Sequence, residues 1–166
     1  IKNVKLENVS TLKTMEDGIK VKELLNKEEN QKVAIIGAGF IGLEAVEAAK
    51  QLGKEVRVFQ SESRVLAQVF DKEITDVLEE EIKKHNVDLR LEELVSELLG
   101  ETKVEKIITN KGEYEADVVI IATGVRPNTA FLKDTSIEML PNGAIIVDEF
   151  GRTSVEDIYA AGDCAT

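Results

Sequence analysis

The chain has 166 residues, 43% hydrophobic and 32% charged, with 1 cysteine, 2 prolines and a formal net charge of −11. Such a length can bury a core that needs no staples, while a single cysteine excludes a disulfide framework and a cysteine-rich metal site and the low proline content argues against disorder. So acidic a surface repels phosphate backbones and anionic membranes, leaving nucleic acid and membrane as excluded partners; no apolar run reaches the roughly 18 residues of a span, and with no basic-then-apolar leader the expected location is cytoplasmic.

Thr14-Met15-Glu16-Asp17 predicts a helix start, with Thr14 as the cap and two acids in the first turn. Ile19, Leu24 and Leu25 give that helix a partial apolar face. Asn26 to Lys32 is polar and reads as a surface connection. Val33-Ala34-Ile35-Ile36 is an unbroken apolar run, the pattern of a strand buried on both faces. Gly37-Ala38-Gly39-Phe40-Ile41-Gly42 follows at once. From Gly42 the spacing turns helical through Ala45, Val46, Ala49 and Leu52, and Gly53 suits the exit. Glu55 to Gln60 predicts a second strand around Val56, Val58 and Phe59. Asp71 to His85 predicts a helix with Ile74, Val77, Leu78 and Ile82 on one face, and Val87 to Leu91 a third strand.

Shorter segments follow. Leu94–Leu99, Val104–Thr109 and Glu113–Tyr114 predict antiparallel strands, with Asn110-Lys111-Gly112 as a hairpin turn. Val118-Val119-Ile120-Ile121 is again fully apolar and runs into Ala122-Thr123-Gly124. Beyond it lie a turn at Pro141-Asn142-Gly143 and two expected short strands, Ala144–Val147 and Ile158–Ala160. Alternating strands and helices predict an α/β fold: a central parallel sheet with helices on one face and a small antiparallel β-meander on the other.

The motif richest in chemistry is Gly37-x-Gly39-x-x-Gly42. The first glycine permits a tight exit from the strand, the second lets a pyrophosphate approach the backbone, and the third lets the helix pack close. An anion would then sit on the unpaired N–H groups of the helix N-terminus, where the dipole is positive. A strand before, a helix after and a second strand at the expected distance make the motif a dinucleotide candidate in a Rossmann-like NAD(P)-binding fold. The alternatives are a turn that binds nothing and a site for another nucleotide-bearing ligand such as S-adenosylmethionine. The fingerprint wants an acid at the end of the second strand to hold the ribose, and here position 60 is Gln60. A glutamine amide can still bond ribose hydroxyls but forgoes the charge that rejects a 2′-phosphate. Glu62 can restore that repulsion and Arg64 can oppose it. The expectation is NADH over NADPH.

Ile36-Gly37-Ala38-Gly39-Phe40-Ile41-Gly42-Leu43-Glu44 resembles the NADH-binding segment of FAD-dependent pyridine nucleotide-disulfide oxidoreductases. Arg64-Val65-Leu66 with Phe70-Asp71-x-Glu73, Ala122-Thr123-Gly124-Val125-Arg126-Pro127-Asn128, and Thr153-Ser154 through Ile158-Tyr159-Ala160-Ala161-Gly162-Asp163 are similar to three further family segments, in the same order. The details look most like the NADH oxidase and coenzyme A-disulfide reductase branch.

The resemblance implies NADH contacts at Gly37, Gly39, Phe40, Ile41, Gly42, Glu44, Gln60 and Gly124, and an FAD contact at Asp163. Glu44 stands where the family keeps a carboxylate near the nicotinamide, and Phe40 where a tyrosine often covers the flavin. Gly124 lets backbone approach the nicotinamide end, and Asp163 would accept from ribityl hydroxyls. The plainer readings are a solvated helix residue at Glu44, core packing at Phe40 and a turn residue at Asp163. Cys164 reads as a small buried thiol and His85 as a surface residue at a helix end.

The resemblance further implies an NADH-binding domain over residues 1–147, with a lead-in at 1–31, and a truncated start of the returning FAD-binding segment at 148–166. The remaining FAD and dimerisation domains of a parent enzyme would be its partners, and the fragment alone would be inactive. In that parent, hydride would pass from NADH to FAD and on to a cysteine-based centre, a disulfide or oxygen. The alternative is a non-catalytic NAD(H)-binding sensor.

Overall fold

The apolar runs of the sequence become neighbours in one sheet. The computed structural model describes residues 1–166, which form two compact units, Ile1–Thr123 and Gly124–Thr166. The first unit runs β1 (Val9–Thr11), α1 (Met15–Asn26), β2 (Lys32–Ile36), α2 (Phe40–Gln51), β3 (Glu55–Phe59), α3 (Lys72–Lys84), β4 (Asp88–Arg90), β5 (Val95–Leu99), β6 (Lys106–Thr109), β7 (Glu113–Glu115) and β8 (Val118–Ile121). The five strands β1-β8-β2-β3-β4 form a parallel sheet, and β5-β6-β7 an antiparallel one.

Side chains alternate across a strand, and here each set has its own cover. Val33, Ile35, Val56, Val58, Val118 and Ile120 pack with the inward residues of α1, α2 and α3. Ala34, Ile36, Phe59 and Val119 pack with Val95, Leu98, Val104 and Ile107 of the meander. Helices on one face and a meander on the other are therefore what the sheet carries, as the sequence predicts. Strand β2 pairs β8 with Ile36 opposite Ile121, so the turn leaving β2 lies beside Ala122.

Local signals place the helices well. Thr14 caps α1 by accepting from the Asp17 N–H at 3.2 Å, and Asp71 and His85 flank α3. Two expectations need correction, and one strand goes unsignalled in the sequence. The three-residue β1, too short for a periodicity, is a parallel edge strand on β8. The polar connection after α1 is not all surface: Asn30 is 1% exposed, and its Nδ2 donates to Leu24 O at 2.9 Å, closing the helix end. On α3, Ile74 and Val77 are 54% and 68% exposed. The packed line is instead Thr75, Leu78 and Ile82, spaced i, i+3, i+7. The apolar stripe is wider than the sheet edge that receives it, so only one side of it is covered. No helix is long and apolar enough to cross a membrane.

A charged cluster ties the sheet edge to the meander. Arg57 Nε donates to Asp88 Oδ2 at 2.6 Å and Arg90 Nη2 to the same oxygen at 3.1 Å. Both guanidinium groups lie over the Tyr114 ring, at 4.7 and 5.4 Å from its centre. Partial burial pushes the Asp88 carboxyl up, but the hydrogen bonds and charges of the two arginines outweigh it and hold the pKa below the usual carboxylate value. A carboxyl depressed by folding adds stability above its unfolded pKa and loses it as pH falls through the folded one. Asp88→Asn is therefore expected to lower stability by about 0.5 kcal/mol at neutral pH, the scale of a partly solvated ion pair. Urea midpoints of the two chains should differ at pH 7 and converge below about pH 4; a difference unchanged by acid would reject the carboxylate's role.

The second unit is held by turns. A 3-10 turn spans Ala130–Leu132, and Pro141-Asn142-Gly143 forms the expected turn, with Gly143 N–H on Leu140 O at 2.8 Å. The strands expected at Ala144–Val147 and Ile158–Ala160 do not form. Single bridges join Met139 to Ile145, Ile145 to Ala165 and Arg152 to Tyr159. Within this unit Thr129, Ala144 and Ile145 alone are buried, too little apolar contact to hold a ladder.

Candidate functional site

The turn between β2 and α2 is built from two glycines the fold demands and one it does not. Gly37 has φ +106°, and a Cβ there would lie 2.3 Å from Ala122 O. Conformation and space both exclude a side chain. Its N–H donates to Phe59 O at 2.8 Å, locking the exit of β2 onto β3. A Cβ on Gly42 would lie 2.0 Å from Gly37 O, so α2 rests directly on the strand end. Gly39 differs. Its φ is −82°, which any residue adopts, and a Cβ there meets nothing within 4 Å.

Gly39 is also the N-cap of α2. It offers no side chain to the helix, and the first turn holds no acid. The first helical bond is Leu43 N–H to Gly39 O at 3.0 Å. The N–H groups of Phe40, Ile41 and Gly42 therefore have no acceptor within the helix, and the positive end of its dipole is uncompensated.

Ala38 joins the turn to its surroundings. It is fully buried. Its N–H donates to Gln60 Oε1 at 3.0 Å, and its carbonyl accepts from Leu66 N–H at 3.2 Å. Leu66 has φ +46°, a conformation costly for a branched side chain. Nothing in the sequence signals that hinge, since it depends on the position of Ala38. Arg64 is committed to the same loop, donating to Phe70 O at 3.2 Å, Thr75 Oγ1 at 3.0 Å and Ala67 O at 3.4 Å. These acceptors are neutral, so they fix the guanidinium in place and leave its charge unpaired. Glu62 accepts from Gln68 Nε2 at 2.6 Å.

The other expected residues divide between the two units. The first unit brings Gly37, Gly39, Phe40, Ile41, Gly42, Glu44 and Gln60 to one end of the sheet. Phe40 is 56% exposed, touching Phe70 edge to face at 6.0 Å between ring centres, so core packing does not explain it. Glu44 is exposed, and no hydrogen bond or ion pair engages its carboxylate. Gly124, with φ +105°, and Asp163, exposed and free of partners, belong to the second unit. Cys164, expected buried, is half-exposed, its thiol 3.5 Å from Ala161 O. His85 is a surface residue at the end of α3, 3.2 Å from Glu81.

Comparison with known proteins gives a consistent set of relatives. The family described as pyridine nucleotide-disulphide oxidoreductase matches residues 1–166. A Pyrococcus horikoshii protein named NAD(P)H coenzyme A polysulfide/persulfide reductase is 44% identical over 165 residues, which cover 99% of this chain and 37% of that protein. A Streptococcus pyogenes NADH oxidase is 40% identical over 161 residues, covering 97% of this chain and 35% of the relative. The water-forming NADH oxidase of Lactobacillus brevis, solved with NADH bound, superposes with a TM-score of 0.89 at 37% identity, over 98% of this chain and 35% of that one. The chain thus spans little more than a third of the proteins it matches.

Proposed function

The chain belongs to the pyridine nucleotide-disulphide oxidoreductase family, and on that premise we propose that residues 1–147 are the NADH-binding part of a flavin-dependent oxidoreductase and residues 148–166 the start of its returning FAD segment. The observation that carries the reading is the uncapped N-terminus of α2 beneath open space at Gly39. The N–H groups of Phe40, Ile41 and Gly42 supply the donors a pyrophosphate needs, and the absent side chain of Gly39 supplies the room.

The remaining residues take their roles from that placement. Gly37 and Gly42 hold the turn in shape. Glu44 offers a free carboxylate one turn into α2 for the nicotinamide end, and Phe40 offers an exposed aromatic face. Gly124 gives backbone access at the nicotinamide end, and Asp163 an acceptor for ribityl hydroxyls. When bound, NADH would supply a hydride and FAD would accept it, and the parent would pass the electrons on to a cysteine-based centre, a disulfide or oxygen. The protein's contribution in this segment is positioning. The parent's FAD and dimerisation domains are the partners. The free thiol of Cys164 suits a reducing compartment, and the reading places the parent in the cytoplasm.

A non-catalytic NAD(H) sensor is the competing reading, and the exposed, unpartnered carboxylate of Asp163 favours the flavin enzyme over it. Titration calorimetry of the chain with NADH tests the dinucleotide part. Absorbance of the full-length parent tests the flavin part: bound yellow flavin that bleaches on NADH addition is expected, and a colourless parent that binds NADH would point to the sensor. In the parent, Glu44→Gln is expected to slow bleaching by about 10-fold with NADH affinity changed less than about 3-fold, since the residue orients rather than anchors. Equal rates would return Glu44 to an ordinary solvated position.

A further inference from the structure

We propose that Phe70 is a positioning residue for coenzyme entry: fixed in place by Arg64 and Leu66, it holds the Phe40 ring to one side of the opening at Gly39. This rests on the dinucleotide reading above and gives the loop between β3 and α3 a part in it.

Phe40 needs such a hold. It is the first residue of α2, and side chains on a helix tilt toward its N-terminal end, so the ring stands beside the N–H groups that face the opening. The neighbouring residue is Gly39, where a Cβ would meet nothing within 4 Å. With Phe40 56% exposed, few contacts decide where its ring sits. Phe70 supplies an aromatic one, edge to face at 84° and 6.0 Å between ring centres. In that geometry the positive edge of one ring meets the negative face of the other. A ring without this partner is free to turn across the opening, and a ring against Phe70 leaves it clear.

Phe70 itself is pinned at both backbone groups. Its N–H donates to Leu66 O at 3.1 Å, and its carbonyl accepts from Arg64 Nη1 at 3.2 Å. The same nitrogen reaches Thr75 Oγ1 at 3.0 Å, and Thr75 is fully buried in the first turn of α3. Leu66 N–H donates to Ala38 O at 3.2 Å, two residues before Phe40. Ala38, Leu66, Phe70 and Phe40 thus form a closed circuit around the start of α2. Leu66 closes it with φ +46°. Backbone strain of this kind persists only where the surroundings hold it, and it gathers at functional sites. What the strained loop delivers here is an aromatic edge against Phe40.

Calorimetric titration of the chain with NADH, run as a double-mutant cycle on Phe40 and Phe70, tests this. Phe70→Ala should weaken NADH binding by about 5-fold, the scale of one edge-to-face aromatic pair. In a Phe40→Ala background the same substitution should change affinity by less than about 2-fold, because no ring is left to hold. Phe70→Tyr keeps the ring edge and should stay within about 2-fold of the unaltered chain. An equal loss in both backgrounds would overturn the proposal and leave the dinucleotide reading standing, since Phe70 would then support the loop and not the ring. Unchanged affinity in Phe70→Ala would overturn it as well. If Phe70→Ala does not fold by circular dichroism, Phe70→Leu, which keeps apolar bulk without the ring, takes its place in the cycle. An unaltered chain that binds no NADH would remove the dinucleotide reading, and the role of Phe70 with it.

Discussion

Gly39→Val is expected to abolish NADH binding and leave the chain folded. The fold has no use for a glycine here: φ is −82° and ψ −175°, an extended conformation that β-branched residues favour, and a Cβ meets nothing within 4 Å. Replacing a glycine cap by valine, a poorer one, costs about 1 kcal/mol. The space a valine would fill is the space through which a pyrophosphate reaches the N–H groups of Phe40, Ile41 and Gly42. Affinity measured by calorimetry should fall at least about 100-fold, a loss of about 2.7 kcal/mol, while the thermal midpoint moves by a few degrees at most. Unchanged affinity in a folded variant would sink the pyrophosphate assignment.

Gly42→Ala should do the reverse, acting on the fold before any ligand is added. Its new Cβ would stand 2.0 Å from Gly37 O and 3.1 Å from the attached carbon. Both are backbone atoms of a turn already locked to Phe59 O, so nothing flexible can yield. Either α2 lifts off β2 or the turn is rebuilt, and overpacking of this kind costs about 3 kcal/mol. For a chain of this size that is a drop of roughly 6–12 °C in the melting midpoint. Loss of less than about 1 kcal/mol would mean that α2 can shift cheaply. The same methyl group on Gly39 should cost far less stability, and the pair of alanine variants separates the glycine the fold needs from the glycine a ligand needs.

Much of this molecule could be read along the chain. Val33–Ile36 and Val118–Ile121 announce buried strands because both faces of a covered parallel sheet are apolar. Thr14, Asp71 and Gly53 mark helix ends because caps act within a turn or two. What failed was decided at a distance. Ile74 and Val77 look identical to Leu78 and Ile82 by periodicity, yet only part of the stripe meets the sheet. Val9–Thr11 is a strand because β8 lies beside it, and Ala144–Val147 is not one because its own unit offers single bridges only.

The same division runs through the candidate site. Residue order alone says that a strand, a glycine turn and a helix follow one another, and that residue 60 is neutral. Those are properties of neighbours, set by spacing and residue type. It takes the folded chain to press Gly37 against Ala122, to leave Gly39 pressed against nothing, and to turn the Gln60 oxygen to the Ala38 N–H. Each of these depends on atoms that the β2–β8 and β2–β3 registers bring together, and a register is a property of the sheet, with no trace in any one segment.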